Sequence, residues 1–118
     1  MGLVPTDDIT LRVVQHEAHR IARTKGWYDN GPRSIGDVLA AVHSEVSEAW
    51  QEYRTGCDPA KIRYEADHKP QGFGIECADA IIIISDITQY LGIDLTYCVQ
   101  LKMDYNATRP HRHGNKLG

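Results

Sequence analysis

The fold is decided by residues 74–91, which read GIECADAIIIISDITQYL. By propensity alone, the β-branched run at 81–84 suits a buried strand, which is the alternative interpretation. The apolar character, however, extends from Ile75 to Leu91, which is about five helical turns, and Gly92 follows as a stop. Neither alternation of apolar and polar residues nor a hairpin turn accompanies the segment. We therefore predict a helix over 74–91 that is buried on nearly all sides.

Helical periodicity predicts three further helices. The first runs over about 7–25, with Asp7 and Asp8 at an N-terminus that favours negative charge. The second opens at Ser34, within a sequence that resembles a capping box, and closes at residues 54–56. The fourth begins after Asp94 and ends near residue 106. Residues 57–72 are polar, contain two prolines and predict a long loop with at most one short helix.

Four helices in 118 residues, with no confident strand, indicate an all-α bundle of four to five helices in a single domain, 1–118. Residues 1–33 form its N-terminal helix and turn, 34–109 its core helices and 110–118 a basic tail. The third helix is too apolar for three neighbours to cover. We therefore expect a second subunit to complete the bundle.

Composition and charge narrow the class of protein. The chain is 42% hydrophobic and 25% charged, with a net charge of −3, so we expect neither nucleic acid nor a membrane as a partner. It has no uncharged apolar stretch near the roughly 18 residues of a membrane-spanning helix and no secretory signal pattern. The three cysteines are scattered, without a C-x-x-C pair. These features predict a reduced, cytoplasmic protein.

Acidic residues recur at helical spacing on the second and third predicted helices. Glu45 and Glu48 lie along the edge of an apolar stripe, and Glu76 and Asp79 repeat the same spacing. For the first pair alone, the alternative is ordinary solvated surface. Burying such pairs in apolar surroundings costs several kcal/mol per charge unless something compensates, and Mg²⁺ prefers oxygen ligands. We predict that the two pairs face each other as a four-carboxylate Mg²⁺ site.

The fourth helix carries the opposite charge. Lys102, Asn106 and Arg109 follow i, i+4, i+7 spacing and so line one face. A cationic face with an amide suits the phosphates and sugar of a nucleotide. The alternative is an ordinary basic helix C-terminus, favoured by the helix dipole.

Three blocks of the sequence resemble the MazG-like nucleotide pyrophosphohydrolases. Residues 69–79, KPQGFGIECAD, closely resemble the K-P-x-G…E-x-A-D block of that family, and residues 43–49, HSEVSEA, are similar to its first acidic helix. Residues 102–116 look like its C-terminal signature. The blocks occur in the family's order and cover most of the chain from His43 onward. The first 33 residues match only in being helical.

The resemblance implies an all-α fold of the NTP pyrophosphatase type that assembles as a dimer or a pair of dimers, with sites across the subunit interface. It implies a Mg²⁺-dependent hydrolase, with Mn²⁺ as a substitute, that splits a nucleoside triphosphate into the monophosphate and pyrophosphate. The implied metal ligands and catalytic acids are Glu45, Glu48, Glu76 and Asp79. Glu48 is the candidate to orient or deprotonate the attacking water. The implied substrate-binding residues are Lys102, Asn106, Arg109 and Lys116.

The chain departs from the family at Ser44, where many members carry an acid. The departure leaves open whether the chain has the extra metal ligand and which residue is the base. Glu52 is a weaker candidate to substitute for the missing acid. It also keeps open a catalytically silent helical module that binds nucleotides or a partner protein. A di-iron bundle needs two Glu-x-x-His motifs on core helices, and the single such motif lies at 65–68 in the predicted loop. Trp27 and Trp50 are candidates to stack on a base or, alternatively, core anchors.

Overall fold

The computed structural model describes residues 8–112 and is mostly helical. This confirms the predicted all-α class and all four helices within that range. None of these helices is long and apolar enough to cross a membrane. The elements, in chain order, are α1 (Leu11–Thr24), α2 (Ile35–Arg54), β1 (Arg63–Tyr64), β2 (Pro70–Gln71), α3 (Phe73–Tyr90) and α4 (Leu95–Thr108).

Side-chain caps fix where three of the helices begin. Ser34 Oγ accepts a hydrogen bond from the amide of Asp37 at 3.3 Å, and Asp94 accepts from the amide of Tyr97 at 3.1 Å, as the sequence predicts. The predicted start of the first helix is wrong. Helix α1 is capped by Thr10 rather than by Asp8, because Thr10 presents an oxygen to a first-turn amide. Asp7 lies outside the described residues.

Helix α3 packs against both α1 and α2 and is the centre of the fold. Among the described residues, the buried apolar side chains are mostly those of alanine. They are Ala18, Ala22, Val38, Ala49, Ala80 and Ile87. Within the single chain, part of α3 is left uncovered, since Ile81 is 51% exposed and Ile82 is 45% exposed. That a second subunit covers the remainder stays a prediction. Helix α1 covers one flank of α3 and α2 another, and Ile82 lies in the groove that all three helices line.

The predicted loop over 57–72 contains a short β-hairpin that the sequence analysis missed. Strands β1 and β2 pair antiparallel, with Arg63 opposite Gln71. Gly72 then joins the hairpin to α3 with φ +141°, and a Cβ atom there would lie 2.7 Å from the carbonyl oxygen of Lys61. Only glycine fits this turn without displacing backbone. The hairpin is therefore held close to the start of α3, one turn before Glu76.

Gln15 links three helices through its buried side chain, which is 2% exposed. Its Nε2 donates to Thr88 Oγ1 at 3.0 Å and to the carbonyl of Ile93 at 2.9 Å, and its Oε1 accepts from the amide of Leu95 at 3.4 Å. Both ends of the amide are therefore satisfied. This contact fixes α1 against the end of α3 and the start of α4.

Replacing Gln15 by leucine should destabilise the protein by about 2 kcal/mol, because the carbonyl of Ile93 and the amide of Leu95 lose a buried partner. Chemical denaturation measures this free energy of unfolding. The matched control is Gln89→Leu, which changes an exposed glutamine on α3. Equal stability of the two variants would contradict the role assigned to Gln15.

Candidate metal and substrate site

Three of the four predicted acids meet where α2 packs on α3. One carboxylate oxygen from each of Glu45, Glu76 and Asp79 lies within 4.8 Å of the others. All three residues are partly buried. Helical spacing aligns Glu76 and Asp79 on one face of α3, and the packing of α2 brings Glu45 opposite them.

Glu45 is the most perturbed member of this cluster. Its Oε2 atom is buried without a hydrogen-bond partner among the described residues. The pKa of Glu45 is raised to about 8, first by burial and then by the adjacent carboxyls of Glu48 and Glu76. Burial also raises the pKa of Glu76, with Glu48 and Asp79 adding repulsion. At neutral pH the cluster therefore retains a proton that isolated carboxyls would lose.

Glu48 lies at the edge of the cluster rather than within it. Its side chain is exposed, and it is absent from the set of three that converge within 4.8 Å. It is nevertheless close enough to raise the pKa values of Glu45 and Glu76. The structure thus brings together three of the four predicted ligands and sets the fourth beside them. Ser44, where an acid was expected from the resemblance, is exposed.

A cleft of about 310 Å³ opens beside the acids. Its walls include Glu48, Glu52 and Glu76, together with Arg63 from the hairpin. Arg63 Nη2 donates to both carboxylate oxygens of Glu52, at 2.9 and 3.0 Å, and this interaction lowers the pKa of Glu52. Glu52 therefore faces the cleft already paired. The sequence analysis missed Arg63, because nothing in the local pattern indicates that the hairpin folds back onto α2.

The predicted substrate-binding residues lie apart from the acids in the single chain. Lys102 Nζ and the Arg109 guanidinium lie 5.1 and 5.7 Å from the centroid of the Tyr105 ring, so they share a face as predicted. Asn106 is half-buried on the same helix. Within residues 8–112, no hydrogen bond or ion pair joins these side chains to the acidic cluster. Lys116 lies outside the described residues.

A second, larger groove of about 640 Å³ runs between α1, α2 and α3. Glu45 lies on its wall, as do Trp27, Arg33 and Asp86, and much of the remaining surface is apolar. The acidic cluster therefore faces the groove through Glu45. Trp27 is 65% exposed, so it is not a core anchor, and the Arg33 guanidinium lies over its ring, 5.3 Å from the centroid. Trp50 lies elsewhere on α2, packed against Tyr53 with ring centroids 6.0 Å apart.

Asp86 is the centre of a buried polar network at the wall of this groove. Its Oδ1 lies 2.9 Å from His19 Nδ1 and accepts from the Tyr28 hydroxyl at 2.8 Å, while its Oδ2 accepts from Arg33 Nη1 at 2.8 Å. Burial and the contact with Asp86 raise the pKa of Tyr28 to about 12. The sequence analysis did not single out Asp86. A carboxyl just after the isoleucine run at 81–84 was the available signal.

Comparison of the chain with family models, curated proteins and solved structures finds no match. The resemblance to MazG-like pyrophosphohydrolases therefore rests on the residues quoted above. The function that it implies is argued below as a proposal.

The donor set fits a hard divalent cation. All three converging groups are carboxyls, and such oxygens are the ligands that Mg²⁺ and Mn²⁺ prefer. The Oε2 atom of Glu45 has no hydrogen-bond partner among the described residues, and a cation could bind it. A di-iron centre fits less well, since the Glu-x-x-His motif at 65–68 lies in the exposed hairpin turn rather than on a core helix.

The raised pKa of Glu45 predicts how metal-free stability changes with pH. Its folded value of about 8 exceeds the ordinary value of 4.5, so the bound proton stabilises the fold at acidic pH, and this contribution is lost as the pH rises through 8. We expect the melting temperature of the protein in chelator to fall between about pH 5 and pH 8. In Glu45→Gln, most of that fall should disappear.

Thermal melts across this pH range test the prediction. Glu17→Gln is the matched control, because it changes a carboxyl on α1 that pairs with Arg20. Its pH profile should follow the wild type. A Glu45→Gln profile as steep as that of the wild type would contradict the assignment.

Proposed function

We propose that the protein is a Mg²⁺-dependent nucleoside triphosphate pyrophosphohydrolase, which releases the monophosphate and pyrophosphate. The observation that carries the proposal is the partly buried Glu45 carboxyl, with one unpartnered oxygen, against Glu76 and Asp79. Grouping these carboxyls without a compensating charge is unfavourable. A cation at this position removes the cost, and a triphosphate is a natural further ligand for it.

Glu45, Glu76 and Asp79 would hold the cation, and Glu48 would complete the set or act beside it. When bound, the cation supplies Lewis-acid chemistry, which lowers the pKa of water and neutralises charge on phosphate oxygens. Glu48 is the proposed base, since its exposed carboxyl at the edge of the cluster is accessible to a water molecule. Glu52 is less suited to this role because Arg63 occupies both of its oxygens.

The larger groove is the proposed site of the nucleoside. Its wall includes Glu45, so a triphosphate at the cluster would lead its sugar and base into the groove. The exposed indole of Trp27 offers a stacking surface there. Either a ribonucleoside or a deoxyribonucleoside satisfies these features.

Self-association is the proposed route by which Lys102, Asn106 and Arg109 reach a substrate. None of the residues of α4, which is described throughout, is buried. Large apolar side chains are exposed on all four helices, and those on α2, α3 and α4 include Val46, Trp50, Ile81, Leu101, Met103 and Tyr105. A second copy that covers these surfaces would bury them and set its cationic face opposite the acids of the first. We propose a dimer or a pair of dimers.

The test is pyrophosphate release from a panel of ribo- and deoxyribonucleoside triphosphates, in Mg²⁺, in Mn²⁺ and in chelator. The proposal predicts release in either metal, none in chelator and a ranking among bases. Tight nucleotide binding without release from any member would instead support the silent binding module. That outcome would overturn the enzymatic proposal.

A further inference from the structure

A positively charged side chain of the same chain, that of Arg63, lines the cleft beside the acids. The described side chains that line it carry several negative charges and one positive charge, that of Arg63. Lys102 lies on α4 and Arg109 directly follows it, and α4 packs mainly against α1. A phosphate drawn to the cluster within one chain would therefore meet Arg63 before either of these.

The contact between Arg63 and Glu52 leaves most of the guanidinium available. Both hydrogen bonds come from Nη2, while Nε and Nη1 donate to no group within the described part of the chain. The Arg63 side chain is 48% exposed, whereas that of Glu52 is 17% exposed. Glu52 therefore occupies one corner of the planar guanidinium and leaves the N–H groups of Nε and Nη1 without a partner among the described residues. Arginine N–H groups of this kind are strong donors to phosphate oxygens.

The hairpin gives Arg63 a defined position. Arg63 pairs with Gln71 across the two strands, and Gly72 holds the hairpin against the backbone at Lys61. Glu76 lies one helical turn after Gly72, and its amide donates a hydrogen bond to the carbonyl of Gly72 at 3.1 Å. The same short segment thus sets the positions of both the cation and one of the acids.

We propose that Arg63 binds a terminal phosphate of the nucleoside triphosphate, the part that leaves as pyrophosphate, with Glu52 as the residue that positions it. This inference rests on the proposed function but names a contact that the resemblance does not supply. The leaving group carries several negative charges, and a fixed arginine compensates charge that the carboxylates would repel.

The test measures binding of inorganic pyrophosphate in Mg²⁺ by calorimetry, separately from hydrolysis. Arg63→Ala should weaken binding at least about 10-fold, and Arg63→Lys should fall between it and the wild type, because lysine keeps the charge without the fork. Glu52→Gln should weaken binding about 3-fold, less than Arg63→Ala, because the glutamine amide oxygen still accepts a hydrogen bond from Arg63 but the charge-assisted pair that positions it is lost. Lys61→Ala, an exposed cation of the same loop that does not line the cleft, is the matched control.

A purely structural role gives a different pattern. If the pair only anchored the hairpin, Arg63→Ala and Glu52→Gln would weaken pyrophosphate binding equally and lower the melting temperature equally. Such a pattern would overturn the inference. It would also be overturned if Arg63→Ala bound pyrophosphate as the wild type does, or if the wild type did not bind it. Triphosphate hydrolysis by the wild type would still support the proposed function in each case. Arginine-dependent binding without any hydrolysis would support the phosphate contact of Arg63 but overturn the proposed function, and with it the assignment of that phosphate to a leaving group.

Discussion

Replacing Glu76 by glutamine is expected to reduce pyrophosphate release by about 10³-fold, with a fold that remains intact. The variant keeps the shape of the side chain but removes one of the three converging carboxylates. A loss of about 4 kcal/mol of transition-state stabilisation corresponds to this factor. Steady-state rates in saturating Mg²⁺ measure the effect.

A stability measurement separates this loss from misfolding. In chelator, Glu76→Gln should be at least as stable as the wild type near neutral pH, because one repelling group has been removed from the cluster. Glu17→Gln, remote on α1, should retain full activity. Activity of Glu76→Gln within about 3-fold of the wild type would exclude the cluster as the catalytic centre.

Replacing Asp86 by asparagine is expected to destabilise the protein by about 3 kcal/mol, which lowers the melting temperature on the order of 10 °C. The side chain of Asp86 is 7% exposed and that of Arg33 is 19% exposed. The substitution leaves the guanidinium poorly solvated without its counter-charge. It also weakens the contacts to His19 and Tyr28, which tie α1 and the following turn to α3.

The matched control for this prediction is Asp37→Asn. Asp37 lines the same groove but is exposed. Replacing it by asparagine should therefore change the free energy of unfolding by less than about 0.5 kcal/mol. Equal stabilities of the two variants would show that the network around Asp86 contributes little. Chemical denaturation in chelator is the appropriate measurement, because a bound metal would add its own stabilisation.

The four helices were predictable because local signals agree with the final packing. Ser34 and Asp94 present side-chain oxygens to first-turn amides, and the length of the apolar run at 75–91 exceeds that of an ordinary strand. The spacing of Glu76 and Asp79 likewise placed them on one face. That they lie close to Glu45 was a hypothesis about tertiary packing. In the structure, the packing of α2 on α3 brings the three carboxyls together.

Features that depend on long-range contacts were not predictable. The hairpin forms because residues 63–64 and 70–71 pair across an exposed turn, and these short strands lack alternating apolar residues. Arg63 reaches Glu52 only because of that pairing. Asp86 acquires its three partners from α1 and the turn that follows, which a reading of α3 alone does not contain.

The central claim is that the cluster of Glu45, Glu76 and Asp79 supports hydrolysis of a triphosphate between its first and second phosphates. Phosphorus NMR of a nucleoside triphosphate incubated with the protein and Mg²⁺ tests this claim most directly. The account predicts equal growth of monophosphate and pyrophosphate signals, which chelator and Glu76→Gln both abolish. Orthophosphate with a nucleoside diphosphate, or an unchanged triphosphate for every base tested, would contradict it.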